Sequence, residues 1–324
     1  MDKNELMGLY RTMYRIRAFE NQAVESFAIG DIPGFVHLSI GQEAVPTGLC
    51  SVLRKSDYIT STHRGHGHMI AKGGETKRMM AELFAKSGGY CHGKGGSMHI
   101  SDINIGMLGA NGMVGGGFGI ATGAALAQVQ QSTDNVVVCF FGDGASNEGL
   151  FHEAMNFSAL WRLPLIFVCE NNLYGISTRT DRSMKVQDVA RRAAAYDVPS
   201  AIVDGNDVIA VREAAEIAVS RAREGKGPTL LECKTYKHRG HFEGDPGDYR
   251  PPEEVAAWKE KDPLPRFEKL LTDGGTATEA ELAAVRAEID AEIKAAVNFA
   301  IASPPLDPSQ TVVDVYSDIV EEGR

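Results

Sequence analysis

Two uninterrupted apolar runs, each ended by glycine or polar residues, limit most strongly what this chain can fold into. The first covers residues 135–141, with the sequence NVVVCFF, and the second covers residues 163–169. A continuous run of this kind is typical of a strand that is buried on both faces of a parallel sheet. Residues 148–161 between them predict a crossover helix. The two runs therefore predict an α/β fold, a mostly parallel sheet with helices on both faces.

Other segments extend this pattern towards both termini. Further strands are predicted over 57–61, 201–204 and 229–236. Helices are predicted over 2–29, 41–53, 75–86, 119–131, 207–224 and within 253–302, followed by a short tail over 312–320. A length of 324 residues allows one large α/β domain. We predict a single domain with an N-terminal helical extension over about 1–40, a ligand-binding core over about 41–250 and C-terminal helices over about 251–324.

Charge and cysteine content exclude several classes of protein. The net charge is −10, from 33 basic and 43 acidic residues, so the chain has no overall attraction for nucleic acid or anionic lipid. No apolar run approaches the ~18 residues of a membrane span, and residues 1–14 do not resemble a signal peptide. The five cysteines show no paired spacing, which argues against a disulfide scaffold or a cysteine zinc site. A reducing, cytoplasmic location is expected.

Glycine is over-represented, and its surplus is concentrated in one stretch. The chain has 35 glycines, where average usage of ~7% would give about 23. Residues 88–123 hold many of them, which suggests a backbone that approaches a ligand closely. Two nucleotide-binding patterns fail in this stretch. Gly95 stands where a phosphate-binding loop needs serine or threonine, and Thr122 stands where a dinucleotide-binding loop needs its third glycine.

Polar residues follow both central strands at matching places. Asp143 lies in a G-D-G turn after the first strand, and Asn172 lies in E-N-N after the second. Ligands of open α/β sheets bind at this edge, and carboxylate and amide oxygens suit Mg²⁺. A lone G-D-G turn is more typical of an ordinary helix cap. The matching residues one crossover later favour a cation site, with a helix N-terminus beside it to attract an anion.

The histidines leave two interpretations open. His63, His66 and His68 are spaced closely enough for a transition-metal site, and the alternative is a set of structural histidines. The adjacent Arg64 argues against a second cation there. His241, taken alone, is typical of a surface loop, in a segment over 237–252 that is rich in charge, glycine and proline.

The segment GDGASNEGLFHEAMNFSALWRLPLIFVCENNLYG resembles the thiamin diphosphate motif, G-D-G followed ~30 residues later by N-N. More narrowly, the chain resembles the alpha subunit of the two-subunit thiamin-dependent dehydrogenases that open pyruvate, branched-chain 2-oxo acid and acetoin dehydrogenase complexes. The resemblance covers roughly residues 8–300. It includes, in order, GFVHLSIGQEA, THRGHGH, GKGGSMH, GANGMVGGG and TYKHRGH.

The resemblance implies a role for particular residues. Mg²⁺ would be bound by Asp143, Asn172 and the carbonyl of Tyr174. The other implied contacts of thiamin diphosphate are with Gly144, Ala145 and Arg64 at the diphosphate, Gly112 and Val114 at the aminopyrimidine, and His63, which stands where many relatives have tyrosine. His37 and His241 would line the channel to the reacting carbon and act there as catalytic residues, with His241 also contacting the cofactor.

The resemblance also implies a reaction and partners. The reaction would be cleavage of acetoin, or oxidative decarboxylation of a 2-oxo acid, with transfer of the two-carbon or acyl unit to a lipoyl group of an acyltransferase component. The glutamate that activates the cofactor belongs to a beta subunit in such enzymes, so an α2β2 heterotetramer is expected. His63 and Phe242 favour acetoin over pyruvate or a branched 2-oxo acid. A non-catalytic cofactor-binding assembly subunit, or a nicotinamide-binding enzyme, stays the alternative from another class.

Overall fold

A six-stranded parallel sheet forms the centre of the molecule in the computed structural model, which describes residues 1–313. The strands along the chain are β1 (Tyr58–Thr60), β2 (Met107–Gly109), β3 (Val137–Gly142), β4 (Leu165–Asn171), β5 (Tyr174–Gly175), β6 (Thr178–Arg179), β7 (Ser200–Asp204) and β8 (Thr229–Lys234). The order across the sheet is β2-β1-β3-β4-β8-β7, and every pairing in it is parallel. Strands β5 and β6 form a separate two-stranded antiparallel hairpin.

Eleven α-helices surround the sheet within the described residues. They are α1 (Lys3–Ala28), α2 (Ala44–Cys50), α3 (His66–Ala71), α4 (Thr76–Leu83), α5 (Gly117–Gln130), α6 (Gly149–Leu160), α7 (Thr180–Ser183), α8 (Val208–Arg223), α9 (Pro252–Lys259), α10 (Pro263–Asp273) and α11 (Glu279–Ala302). Both long terminal helices begin with a capping box, closed by Asp2 and Glu5 in α1 and by Thr278 and Glu281 in α11. In a capping box two otherwise unpaired backbone N–H groups gain partners, which fixes where the helix begins.

The core lies on both faces of the sheet because successive side chains of a strand point in opposite directions. In β3, Val138 and Phe140 pack into the larger core with α1, α2, α8 and α11. Their neighbours Val137, Cys139 and Phe141 pack into a smaller core with α5 and α6. Strand β4 is buried along its whole length. This double burial explains the continuous apolar runs of the sequence.

The predicted α/β fold with a mostly parallel sheet is confirmed, and several details differ from the sequence-based expectations or were not predicted. The helix predicted over 41–53 covers only Ala44–Cys50. Strand β2 lies inside the glycine-rich stretch and was not predicted. Strand β8 lies between β4 and β7, so the last two strands do not follow chain order across the sheet. The tail predicted over 312–320 falls almost entirely outside the described residues.

A buried carboxylate organises the glycine-rich stretch. Glu82, at the end of α4, is fully buried, and its two oxygens accept backbone N–H bonds from Cys91, Gly93, Gly95 and Gly96 at 2.7–3.1 Å. Hydrogen bonds to an ionised acceptor are stronger than neutral ones. Part of the glycine surplus therefore serves to wrap the backbone around one side chain of the protein itself.

Among residues 1–313, no helix combines the length and the apolar character needed to cross a lipid bilayer.

Candidate active site

A cavity of ≈ 310 Å³ opens at the carboxyl ends of β3 and β4. Ligands of open parallel sheets bind at this edge, where strand ends and helix starts meet. Most of the residues predicted from the sequence line it: His63, Arg64, Val114, Asp143, Gly144, Ala145, Asn172, Tyr174 and His241. The structure therefore brings together, in one concave place, residues that are up to 178 positions apart in the chain.

Asp143 and Asn172 are neighbours, as their positions after two strands predicted. Strands β3 and β4 pair in register, with Gly142 opposite Glu170, so the two turns begin at the same level of the sheet. The backbone N–H of Asn172 donates to Oδ1 of Asp143 at 3.3 Å. Both side chains are buried. Residues 144–147 after Asp143 form a short 3₁₀ helix. The α-helix predicted over 148–161 is α6, which begins at Gly149, so its N-terminus is separated from Asp143 by this 3₁₀ turn.

Lys237 occupies the centre of this group, which the sequence did not indicate. Its side chain is buried, and Nζ donates to Oδ1 of Asn172 at 3.0 Å and to the carbonyl of Tyr174 at 2.8 Å. Burial lowers the pKa of Lys237 to about 7, with the positive charge of Arg64 acting in the same direction and Asp143 against it. Burial also raises the pKa of Asp143, and Lys237 partly opposes that shift.

The donor set around Lys237 fits a hard divalent cation. A carboxylate, a side-chain amide oxygen and a backbone carbonyl are the oxygen ligands that Mg²⁺ prefers. Two of these oxygens already accept hydrogen bonds from Nζ of Lys237, so their lone pairs converge on one donor. Buried oxygens aimed at a positive charge are what a metal site requires. The residues present are therefore chemically suited to the Mg²⁺ implied by the sequence.

Arg64 is fixed by the backbone rather than by a carboxylate. Nη2 donates to the carbonyl of His241 at 2.9 Å, and Nη1 donates to the carbonyl of Leu38. Burial lowers the pKa of Arg64 to about 10, and it stays a cation at neutral pH. No salt bridge to Arg64 occurs within residues 1–313, so its charge is available to an anion in the cavity.

Three histidines from distant segments meet at one side of the cavity. The ring of His37 lies 4.8 Å from that of His63 and 5.2 Å from that of His241, and the rings of His63 and His241 are 5.4 Å apart. Nδ1 of His37 and Nδ1 of His241 are buried and have no hydrogen-bond partner among the described residues. A buried polar atom without a partner is costly and calls for an explanation, such as a catalytic role or a bound water, ion or ligand.

Burial holds these histidines in the neutral form. It lowers the pKa of His37 to about 3, of His63 to about 2 and of His241 to about 4, and Arg64 adds to each shift. Their ligating nitrogens lie within 4.8 Å of one another, as a metal site would need. The neighbouring guanidinium of Arg64 opposes a second cation there, so the group is better suited to hydrogen bonding with a neutral or anionic ligand.

The other histidines of the THRGHGH segment, His66 and His68, do not line the cavity. Nδ1 of His66 lies 2.9 Å from the fully buried carboxylate of Glu20, and its Nε2 lies 3.0 Å from Oγ of Ser97. Nδ1 of His68 lies 2.6 Å from Oγ of Ser61, and its ring stacks on Phe140. Of the two open interpretations, His66 and His68 are structural histidines, whereas His63 lines the cavity.

Two predicted residues lie at the margin of the site. Gly112 does not line the cavity, and its N–H points to Nε2 of His99 at 3.4 Å, whereas Val114 does line the cavity. His37 reaches the cavity through its contacts with His63 and His241.

The sequence analysis did not identify Lys237, Glu170 and Gln42 as residues of the site. Gln42 accepts a bond from Nδ2 of Asn172 at 3.0 Å, which leaves Oδ1 of Asn172 for the cation.

Known proteins are similar to this chain over nearly its whole length. The family model described as dehydrogenase E1 component matches residues 11–309. The alpha subunit of acetoin:2,6-dichlorophenolindophenol oxidoreductase from Bacillus subtilis is 49% identical over 98% of this chain and 95% of its own length. The protein of the same name from Cupriavidus necator is 47% identical over the same shares. The pyruvate dehydrogenase E1 component subunit alpha from Rhizobium meliloti is 41% identical over 98% of this chain and 90% of its own length.

Proposed function

Because the chain belongs to the dehydrogenase E1 component family, we propose that it is the alpha subunit of a thiamin-diphosphate-dependent dehydrogenase that cleaves acetoin. The observation that carries the proposal is the group of oxygens around the buried amino group of Lys237, at the edge of the sheet. Asp143, Asn172 and Tyr174 supply three oxygen donors, and two of them already hold an ammonium group. The match over nearly the whole chain to relatives named as acetoin:2,6-dichlorophenolindophenol oxidoreductase alpha subunits supports the choice of reaction.

The residues of the cavity divide naturally between the two charged parts of the cofactor. Mg²⁺ would be held by the side chains of Asp143 and Asn172 and by the carbonyl of Tyr174. The diphosphate would lie against Gly144 and Ala145, with Arg64 as its positively charged partner. Val114, and Gly112 through its backbone, would face the aminopyrimidine. When bound, thiamin diphosphate supplies a stabilised carbanion equivalent that cleaves a carbon–carbon bond next to a carbonyl.

The three histidines would act at the substrate end of the cavity. Since all three are neutral at physiological pH, each offers one N–H donor and one acceptor nitrogen. The unpaired Nδ1 atoms of His37 and His241 suit the hydroxyl and carbonyl oxygens of acetoin. Phe35 and Phe242 pack edge to face at 5.3 Å, and Phe242 lies beside His37. We assign His37 and His241 as catalytic residues that orient the substrate and hold or release its protons.

The names of the relatives and one apolar surface of this chain both support a partner subunit. The relatives are named as alpha subunits, which implies a beta subunit. Helices α5 and α6 expose apolar side chains beside a shallow groove of ≈ 250 Å³, among them Ile120, Leu150, Phe157 and Trp161. Large exposed apolar patches mark protein contacts. We propose that a beta subunit covers this face in an α2β2 heterotetramer, supplies the activating glutamate, and passes the product on to a lipoyl-bearing acyltransferase component.

The free cysteines bear on the cellular compartment of the protein. All five cysteines are free, and four of them are buried. Free thiols persist in a reducing compartment, which supports a cytoplasmic location.

Pyruvate is the second candidate substrate, because several relatives of similar coverage are pyruvate dehydrogenase alpha subunits. The experiment is a steady-state comparison of acetoin, pyruvate and branched 2-oxo acids, with the chain co-purified with its beta subunit. We expect the highest kcat/KM for acetoin. A higher value for a 2-oxo acid would overturn the assignment, and cofactor binding without turnover of any of them would favour an assembly subunit.

Calorimetry on the same complex tests the metal and cofactor site. Thiamin diphosphate should bind wild-type protein only with Mg²⁺ present, and Asp143→Ala should lower that affinity at least ~100-fold, because a carboxylate ligand is lost. Asp273→Ala, on the surface of α10, is the matched control and should bind as wild type does. Unchanged binding by Asp143→Ala would contradict the site assignment.

A further inference from the structure

Lys237 contacts two of the three oxygens proposed to bind a metal ion, and the proposed cofactor contacts do not account for it. Lysine is almost never fully buried unless paired, yet Lys237 is 1% exposed. Its ammonium group donates to Oδ1 of Asn172 at 3.0 Å and to the carbonyl of Tyr174 at 2.8 Å. No carboxylate within residues 1–313 lies within salt-bridge distance of it. Two oxygens assigned to a divalent ion are therefore its partners.

The same two oxygens cannot serve both cations at full strength. Mg²⁺ demands oxygens at ~2.0–2.1 Å in near-octahedral geometry, whereas the ammonium group takes them at ordinary hydrogen-bond distance. A divalent ion bound to both oxygens would stand next to Nζ, in a buried place where charges are poorly screened. Arg64 already contributes one buried positive charge nearby. The metal and the ammonium group would therefore compete for these oxygens and repel each other.

We propose that Lys237 is the resident cation of the metal-free site: it keeps the ligand oxygens converged and paired, and a divalent ion enters by displacing its ammonium group. The proposal rests on the proposed metal site. The main chain at Lys237 is fixed independently of Nζ, because its carbonyl accepts a bond from Nη1 of Arg250 at 2.7 Å. The N–H of the next residue, His238, donates to the carbonyl of Ile40 at 2.9 Å. Displacement therefore moves the flexible side chain alone.

The displaced ammonium group has a nearby destination. Lys237 lines the cavity together with Arg64, Gly144 and His241. Rotation about its four-carbon stem carries Nζ from the metal ligands into the cavity, where it becomes a second positive charge for an anionic ligand. Lys237 thus pairs the ligand oxygens before the metal ion binds, and its amino group becomes accessible after the metal ion has bound. It acts as a positioning residue of the metal site.

Two measurements on the full-length chain co-purified with its beta subunit test this displacement, with Mn²⁺ as the probe. The first is the Mn²⁺ affinity, measured by electron paramagnetic resonance without cofactor. Lys237→Met keeps the length of the side chain and removes the competing charge, so we expect Mn²⁺ to bind at least ~10-fold more tightly. Lys237→Arg keeps a competing cation and should bind as weakly as wild type. Lys185→Met, an exposed lysine, is the matched control and should leave the affinity unchanged.

The second measurement uses wild-type protein and does not depend on a variant that folds. Acetic anhydride labels accessible lysines, and mass spectrometry reports each site. We expect Lys237 to be protected without metal and at least ~5-fold more reactive with saturating Mn²⁺, while the labelling of Lys185 stays constant. Equal labelling of Lys237 in both states, or Mn²⁺ affinity that is unchanged or weaker in Lys237→Met, would overturn the proposal.

Asp143→Asn separates this inference from the proposed function. If Mn²⁺ binds wild type and is lost in Asp143→Asn, the metal site stands, and the two measurements on Lys237 decide its role alone. If Mn²⁺ does not bind wild type at millimolar concentration, the metal site and the role of Lys237 both fail.

Discussion

His63 shows how strongly burial can change one side chain. Its ring lies 4.8 Å from that of His37 and 5.4 Å from that of His241, and the positive charge of Arg64 is nearby. Burial lowers its pKa to about 2, with Arg64 as the second cause. The proton that an unfolded histidine takes up near pH 6.5 is therefore refused by the folded protein throughout the range in which most proteins are studied.

Because folded His63 does not take up this proton, the free energy of unfolding depends on pH. Below pH 6.5 the unfolded chain binds a proton at this position and the folded chain does not, so the stability contributed by neutral His63 is lost as pH falls. We expect His63→Asn to lose about 1 kcal/mol less of the free energy of unfolding than wild type between pH 7.5 and 5.5. Urea denaturation at both values measures the difference.

His92→Asn is the control for this prediction. His92 is exposed and has a φ of 57°, a conformation that asparagine also tolerates. Its loss between the two pH values should match that of wild type. A loss in His63→Asn equal to that of wild type would show that His63 titrates normally in the folded protein.

At the scale of elements, the turn into β2 illustrates why the glycines cannot be exchanged freely. Gly106 joins a 3₁₀ turn over Ile103–Ile105 to β2 and has a φ of 79°. A Cβ there would lie 2.1 Å from the carbonyl oxygen of Asp57. The carboxylate of Asp57 accepts bonds from the side chain of Arg223 and the N–H of Val136, and these bonds restrain the residue.

Gly106→Ala should therefore destabilise the protein by roughly 3 kcal/mol or more, because it adds a backbone clash to the cost of a positive φ. Gly30→Ala is the matched comparison. Gly30 has a φ of 86° and nothing within 4 Å of its Cβ position, so only the conformational cost of about 1 kcal/mol applies. Denaturant titration of both variants would contradict this account if the two losses were equal.

The predictability of the elements follows the same physical distinction. Strands β3 and β4 were predicted because burial on both faces removes polar residues from the local sequence. Strand β2, with three residues in a glycine-rich stretch, has no period to detect. The insertion of β8 between β4 and β7 is a long-range fact that no local pattern carries. Asp143 and Asn172 were found by their strand ends, whereas Lys237 was missed because lysine is ordinarily a surface residue.

At the scale of the whole molecule, the face formed by α5 and α6 is the surface that a partner is expected to cover. Phe157 and Trp161 stack with their rings nearly parallel, 5.4 Å apart, at the end of α6. Ile120 on α5 is 50% exposed. The small residues Gly119 and Gly123 line the groove between the helices and allow close approach of another chain.

Phe157→Glu should abolish co-purification of the beta subunit, because a charge would be buried without a partner at the centre of the contact. Ile217→Glu is the control, since Ile217 is also exposed but lies on α8, which packs on the opposite face of the sheet. Size-exclusion chromatography with light scattering reports the assembly. Retention of a full heterotetramer by Phe157→Glu would exclude this face as the interface.

The position of β8 has a consequence for the synthesis of the chain. Strand β7 is made before β8, yet β8 is its neighbour in the sheet. At ~5–20 residues per second, the roughly 30 residues up to the end of β8 take ~2–6 s to translate. During this interval β7 is a nascent strand without its sheet partner, and Lys237 has not yet left the ribosome. A metal ion or cofactor at the proposed site could therefore be bound only after the chain has been translated beyond β8.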